Sequence, residues 1–258
     1  MNNSPIGIYD SGFGGLSVWR ELYRALPDES LIYLGDGKNC PYGELDEAAI
    51  RNHARNAVEC LLAHGCKMIV VACNTATAAA ITYLREQYPE VPIVGLEPAV
   101  KPACKLSKSK KIAVLATEHL LHSEKFRNTV KQYSGDVEVL SIVGQGFVEA
   151  VEAGMENSAE TQQMVADVVM PVINQGVDVI VLGCTHYPFL KRVIRSVIGS
   201  REIAIIDSGE PVEKRVESLL DRYDMRADDE HESRYEFLTF ATEEYRERLR
   251  QKAFGWEL

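Results

Sequence analysis

Residues 69–76 read IVVACNTA and residues 180–187 read IVLGCTHY. Each is a short aliphatic run, suited to a buried strand, that ends on a cysteine with a threonine close behind. The surroundings repeat as well. Gly65 precedes Cys73 by eight residues and Gly176 precedes Cys184 by eight, so both pairs share one offset of 111. IGIYDS at 6–11 corresponds in the same way to IAVLAT at 112–117, at an offset of 106. A match kept in order over several strands predicts one unit used twice, as two pseudo-symmetric lobes.

The rest of the chain fits that frame. Apolar runs at 6–10, 31–35, 68–72 and 92–96 form a first series, and runs at 111–116, 137–143, 178–182 and 203–207 a second. Amphipathic stretches separate them: in 46–64, Ala49, His53, Ala57, Cys60 and Leu61 recur at helical spacing, and 158–175 is similar, with Pro171 expected to bend or interrupt it. Strands alternating with helices read as βαβ units on mostly parallel sheets, an α/β fold. The segment 97–110, with two prolines and a basic run, reads as the crossover between lobes. The last fifty residues contain a helix-like 210–220, a polar 221–233, a strand-like 235–240 and a charged helix at 242–252. Both lobes being complete by then, this tail is expected to return to the first. The expected domains are 1–97 with 209–258, and 98–208.

Composition removes some function classes. The formal charge is −10, from 28 Lys and Arg against 38 Asp and Glu, which argues against a nucleic-acid partner. No run approaches the length of a membrane span, and the start has neither the basic nor the apolar region of a signal peptide, so a cytoplasmic location is the expectation. The six cysteines then read as thiols, and none stands in a C-x-x-C pair, so no metal is expected.

Ligands of doubly wound α/β lobes bind beyond the carboxyl ends of the strands. In the first series those ends carry Asp10 and Ser11 with GFGG, Asp36 with the loop KNCPYG, and Cys73-Asn74-Thr75. In the second they carry Thr117, the stretch GQGF at 144–147, and Cys184-Thr185-His186. If the lobes face each other across a cleft, the two cysteines point into it from opposite sides. A lone cysteine after a strand is usually a small apolar filler. Core packing, however, has no reason to repeat a cysteine with a hydroxyl neighbour at matching strand ends. DSGFGG alone is a weak phosphate-turn signal that lacks a Walker lysine. His53, His64, His119 and His122 read as surface or helix residues. Two opposed thiols suit proton removal from one face of a carbon and proton return to the other. Backbone N–H groups with Asn74, Thr75 and Thr185 are suited to a carboxylate, and His186 to shuttling a proton at Cys184.

DSGFGG at 10–15, PYG at 41–43, ACNTAT at 72–77, LEP at 96–98 and LGCTHYP at 182–188 together resemble the glutamate racemases, enzymes of peptidoglycan precursor synthesis that use no cofactor. The resemblance runs over about residues 6–208. It implies two flavodoxin-like lobes with the active site in the cleft between them. By the same resemblance Cys73 takes the α-proton of D-glutamate and Cys184 that of L-glutamate, assisted by Asp10 and His186 respectively. Asp36 and Glu152 fall where the family has further acidic residues. Ser11, Pro41, Tyr42, Gly43, Asn74, Thr75, Thr117 and Thr185 match its substrate-binding positions. No cofactor is implied, and a homodimer is. Three stretches depart from the family pattern: Leu120 where a second threonine is usual, Gly144-Gln145-Gly146-Phe147 for Cys-Pro-x-Phe, and Thr239-Phe240-Ala241 for Thr-Ser-Gly. The departures keep an aspartate or dual-specificity racemase open, and a non-catalytic protein binding an acidic amino acid is the alternative from another class.

Overall fold

Parallel strands joined by helical crossovers are covered on both faces, which calls for continuous apolar runs rather than alternation. The computed structural model describes residues 1–228 and 230–255 of the chain. It divides into two units: Met1–Leu96 together with the described residues from Gly209 to Gly255, and Glu97–Ser208.

In the first unit the elements run β1 (Ile6–Asp10), α1 (Leu16–Ala25), β2 (Leu31–Gly35), α2 (Glu47–Ala63), β3 (Met68–Val71), α3 (Asn74–Gln87) and β4 (Ile93–Gly95). The second unit runs α4 (Val100–Leu106), β5 (Lys111–Ala116), α5 (Glu118–His122), α6 (Glu124–Tyr133), β6 (Glu138–Val143), α7 (Phe147–Glu152), α8 (Ala159–Ile173), β7 (Val179–Leu182), a 3₁₀ turn at Tyr187–Leu190, α9 (Lys191–Ile198) and β8 (Ala204–Ile206). The chain then adds α10 (Gly209–Arg222), β9 (Tyr235–Thr239) and α11 (Glu243–Gly255) to the first unit. Asp229 and residues 256–258 of the tail lie outside the described residues.

All strand pairs are parallel. The first sheet has the order β4-β3-β1-β2-β9 and the second β8-β7-β5-β6. Apart from β9 the two orders are the same, strand for strand. Registers match too: Ile6 stands beside Met68 in one sheet and Ile112 beside Val179 in the other. Those partners carry the offsets of 106 and 111 seen in the sequence. Gly65 and Gly176 both have positive φ, 77° and 84°, at the ends of α2 and α8. A left-handed residue closes a helix at least cost when it is glycine, which explains why the repeat keeps glycine there.

One face of the first sheet packs Tyr9, Ile32, Leu34, Ile69 and Val71 against Ala54, Val58 and Leu61 of α2 and Ala80, Ile81 and Leu84 of α3. On the returning tail, β9 extends the sheet beside β2, α10 packs on α1, and α11 packs on β9. One local expectation needs correction. Pro171 does not interrupt α8, which continues to Ile173. Proline near a helix end forfeits one hydrogen bond, and Asn174 continues in helical geometry. The segment 97–110 joins the two units as expected, and half of it is α4, packed on β5, β7 and α6.

Candidate active site

The parallel order of β3, β1 and β2 places Cys73, Asp10 and Asp36 side by side at one sheet edge. Backbone bonds extend the ladder past the strands, from Ala72 N to Tyr9 O (2.6 Å) and from Asp36 N to Asp10 O (3.0 Å). Cys73 is extended (φ −130°, ψ 120°) and forms the N-cap of α3, where its Sγ accepts from the N–H of Ala76 at 3.4 Å. A thiolate there faces the positive end of a fourteen-residue helix. Ser11 Oγ lies 3.7 Å from the same sulfur. Asp10 is fully buried and accepts from Gly12 N at 2.8 Å, which shapes the DSGFGG turn. Asn74, Thr75 and Ser11 are buried around the sulfur, and Asn74 Oδ1 has no hydrogen-bond partner.

Asp36 reaches its neighbours through two tyrosines. Tyr9 donates its hydroxyl to Tyr42 (2.7 Å), and Tyr42 donates to Asp36 Oδ2 (2.6 Å). Asn39 Nδ2 adds a bond to each carboxylate oxygen at 3.0 Å, and His53 Nδ1 stands 4.0 Å away. Both tyrosine hydroxyls are held well above their ordinary pKa. Burial is the main cause for each, followed by the charge on Cys73 for Tyr9 and by Tyr9 and Asp36 for Tyr42. They therefore stay protonated as donors, and Asp36 serves as the acceptor at the end of the chain. Tyr42, matched to a substrate-binding position, thus spends its side chain inside the lobe, between half-buried Pro41 and Gly43. Tyr9 and His53 were missed from sequence. Their partners lie across the sheet, and only His53's polar place on an otherwise apolar helical stripe hinted at it.

The second unit builds its counterpart on β5, β6 and β7. Cys184 follows β7 and is buried, as are Thr185 and His186. His186 Nδ1 stands 3.7 Å from Cys184 Sγ, and its Nε2–H donates to Glu152 Oε1 at 2.6 Å. With the carboxylate on the Nε2 side, the ring turns Nδ1 toward the thiol, an arrangement suited to moving a proton at Cys184. Glu152 sits at the end of α7. Thr117 does not face outward with an idle hydroxyl: it caps α5, its Oγ1 accepting from Leu120 N at 3.4 Å. Leu120 itself is buried.

The two cysteines are less alike than their sequences suggested. Cys73 caps a helix, whereas Cys184 is followed by a turn and the 3₁₀ segment. Pro188 is the reason. It has no N–H to return to the Cys184 carbonyl, so Tyr187 N makes that bond instead, at 3.1 Å, and tightens the turn. The helix end beside Cys73 is replaced, at Cys184, by the His186–Glu152 pair.

Among known proteins, the profile of the Asp/Glu/hydantoin racemase family matches residues 14–211. A glutamate racemase from Ectopseudomonas mendocina (strain ymp) is 44% identical over 229 residues, 88% of this chain and 87% of the relative. The solved glutamate racemase isoform RacE1 from Bacillus anthracis superposes with a TM-score of 0.87 at 30% identity, covering 100% of this chain and 96% of its own. The glutamate racemase from Francisella tularensis subsp. tularensis SCHU S4, solved in complex with D-glutamate, gives 0.85 at 26% identity, with 100% and 96% covered. Paired cysteines at equivalent strand ends and relatives matched over nearly the whole chain lead to one assignment: the chain belongs to the Asp/Glu/hydantoin racemase family.

Proposed function

We propose that the chain interconverts L- and D-glutamate, with Cys73 and Cys184 as bases for opposite faces of the α-carbon. The observation that carries this reading is that each unit presents a cysteine at the same strand end, each with its own means of stabilising or relaying a proton. In the L-to-D direction, Cys184 as thiolate removes the α-proton and Cys73 as thiol returns one to the other face. The reverse direction exchanges the roles. The α-proton of an amino acid is a feeble acid, so the carbanion needs fixed donors at the carboxylate. Backbone N–H groups beyond β3 and β7, with Ser11, Asn74, Thr75, Thr117 and Thr185, are assigned that work. Asp10 and His186 assist the two thiols, and Asp36 and Glu152 act behind them. The scheme draws on protein groups alone. The supply of D-glutamate to cell-wall precursors, a cytoplasmic location and a homodimer complete the reading, on the family resemblance.

Circular dichroism of each glutamate enantiomer tests it. The signal is expected to decay to zero from both sides, and Cys73→Ser or Cys184→Ser to slow it by several orders of magnitude. In heavy water, product should carry solvent deuterium while unreacted substrate initially keeps its α-proton, as two bases require. Aspartate is the comparison substrate, because buried Leu120 offers no hydroxyl. Decay with aspartate alone would redirect the assignment, and silence with both would reject catalysis.

A further inference from the structure

The stretch Gly144-Gln145-Gly146-Phe147 departs from the family pattern, and the proposed chemistry leaves it without a part. Its surroundings explain its composition. A Cβ at Gly144 would stand 2.5 Å from the Tyr187 hydroxyl oxygen and 2.6 Å from the ring carbon that bears it. Gly146 has φ +77° as the N-cap of α7, and a Cβ there would stand 2.6 Å from Met164 Sδ. Both glycines let the chain pass close under Tyr187 and α8.

Tyr187 is fully buried, directly follows His186, and donates its hydroxyl to the Gly144 carbonyl at 3.2 Å. The same carbonyl accepts from Phe147 N (3.2 Å) as α7 begins, and the Phe147 ring meets the Tyr187 ring edge-on at 5.2 Å. At the far end of α7, Glu152 holds His186. A circuit closes: Cys184, His186, Glu152, α7, the Gly144 turn, Tyr187, and back to His186 through one peptide bond. The 3₁₀ turn forced by Pro188 fixes the backbone from which both His186 and Tyr187 project.

We infer that Tyr187 is a positioning residue for the Cys184 side of the reaction: its hydroxyl anchors the start of α7, so that Glu152 keeps His186 aligned on the sulfur. The inference rests on the two-base reading. It assigns the glycine pair a purpose, which is to admit this tyrosine against the α7 turn.

The test is Tyr187→Phe, which keeps the ring and its contact with Phe147. The two enantiomers have equal free energy, so any variant must lower kcat/KM equally in both directions, and rates alone cannot name a face. Isotope effects can. Slowing the Cys184 step should raise the α-deuterium isotope effect on kcat/KM for L-glutamate and lower that for D-glutamate. The expected loss of rate is roughly three- to tenfold, the scale of one hydrogen bond. In the Glu152→Gln background, Tyr187→Phe should lose most of its effect, since both act on one imidazole. Isotope effects unchanged in both directions, or a rate loss that simply adds to that of Glu152→Gln, would overturn the inference. Failure of the unsubstituted protein to racemise glutamate would instead strike the two-base reading beneath it. Should Tyr187→Phe not fold, Met164→Leu, which touches Gly146 from α8, is expected to shift the isotope effects the same way.

Discussion

Cys66 shows what a cysteine does in this chain when it is only packed. It lies in the core shared by β3 and α2, and its Sγ fills the space beside Gly7. Burial, with smaller contributions from Cys60 and Glu236, pushes its thiol from the ordinary 9.0 up to about 12. A raised folded value means that the stabilisation is complete below pH 9 and is lost as pH climbs from there toward 12. Cys66→Ala removes that dependence. Urea unfolding should find the variant less stable by about 1 kcal/mol at pH 7. The difference should shrink by roughly 1 kcal/mol at pH 10, where the parent chain has begun to weaken. An unchanged gap would mean that Cys66 ionises freely in the folded state. Sequence separated this thiol from Cys73 and Cys184 by the repeat alone, since only those two recur at matching strand ends. The hydroxyl chain from Tyr9 through Tyr42 to Asp36 was not legible. Its members are 33 and 6 residues apart and meet only once β1 and β2 are paired.

Among the elements, α3 is tied to two strand ends by one side chain. Thr77 is fully buried; its hydroxyl donates to Val71 O at 3.2 Å and accepts from Leu96 N at 3.0 Å. It therefore ties the helix that starts at Cys73 to the ends of β3 and β4. Thr77→Val keeps the shape and leaves the Leu96 N–H buried with no acceptor, a cost of about 2 kcal/mol. Thr77→Ser should recover most of it, as denaturant midpoints would show. A larger loss for Ser than for Val would point to methyl packing instead. Element positions are legible in the sequence chiefly because β1, β2, β3 and β7 are buried along their whole length and read as plain apolar runs. The errors fell where proline acts. Pro171 is expected to bend or interrupt α8 but stands too near its end to stop it, and the turn that Pro188 makes after Cys184 is not among the features read from the sequence. That turn makes the difference between the two sulfurs, one capping a helix and the other served by His186.

At the scale of the molecule, the first unit must close a chain that leaves at Leu96 and returns at Gly209. The closure is visible away from the cysteines. Lys67 Nζ pairs with Glu29 Oε2 at 2.6 Å and donates to Asn2 O at 2.5 Å, with both charged side chains buried. Glu29 Oε1 accepts from Ala227 N (2.9 Å), Asn3 Oδ1 from Asp228 N (2.9 Å), and Ser30 Oγ from Arg234 N (3.0 Å). The N-terminal residues, the start of β2 and the stretch leading into β9 thus meet at one buried ion pair. Burial lowers the Lys67 pKa, opposed by Glu29, so its charge depends on that partner. Lys67→Met leaves Glu29 as a lone buried carboxylate, and such a loss costs about 3–5 kcal/mol. Glu29→Gln should cost less, because an amide oxygen can still accept from Ala227 N. In Lys67→Met, hydrogen exchange at Ala227, Asp228 and the β9 amides should quicken by two to three orders of magnitude, by about 1.4 kcal/mol per tenfold. Amides of β5 and β7, in the unit that closes its own sheet, serve as the reference and should keep their protection. A uniform loss in both sheets would show that the ion pair sustains the whole chain, and no loss at β9 would show that β2 alone retains the returning strand.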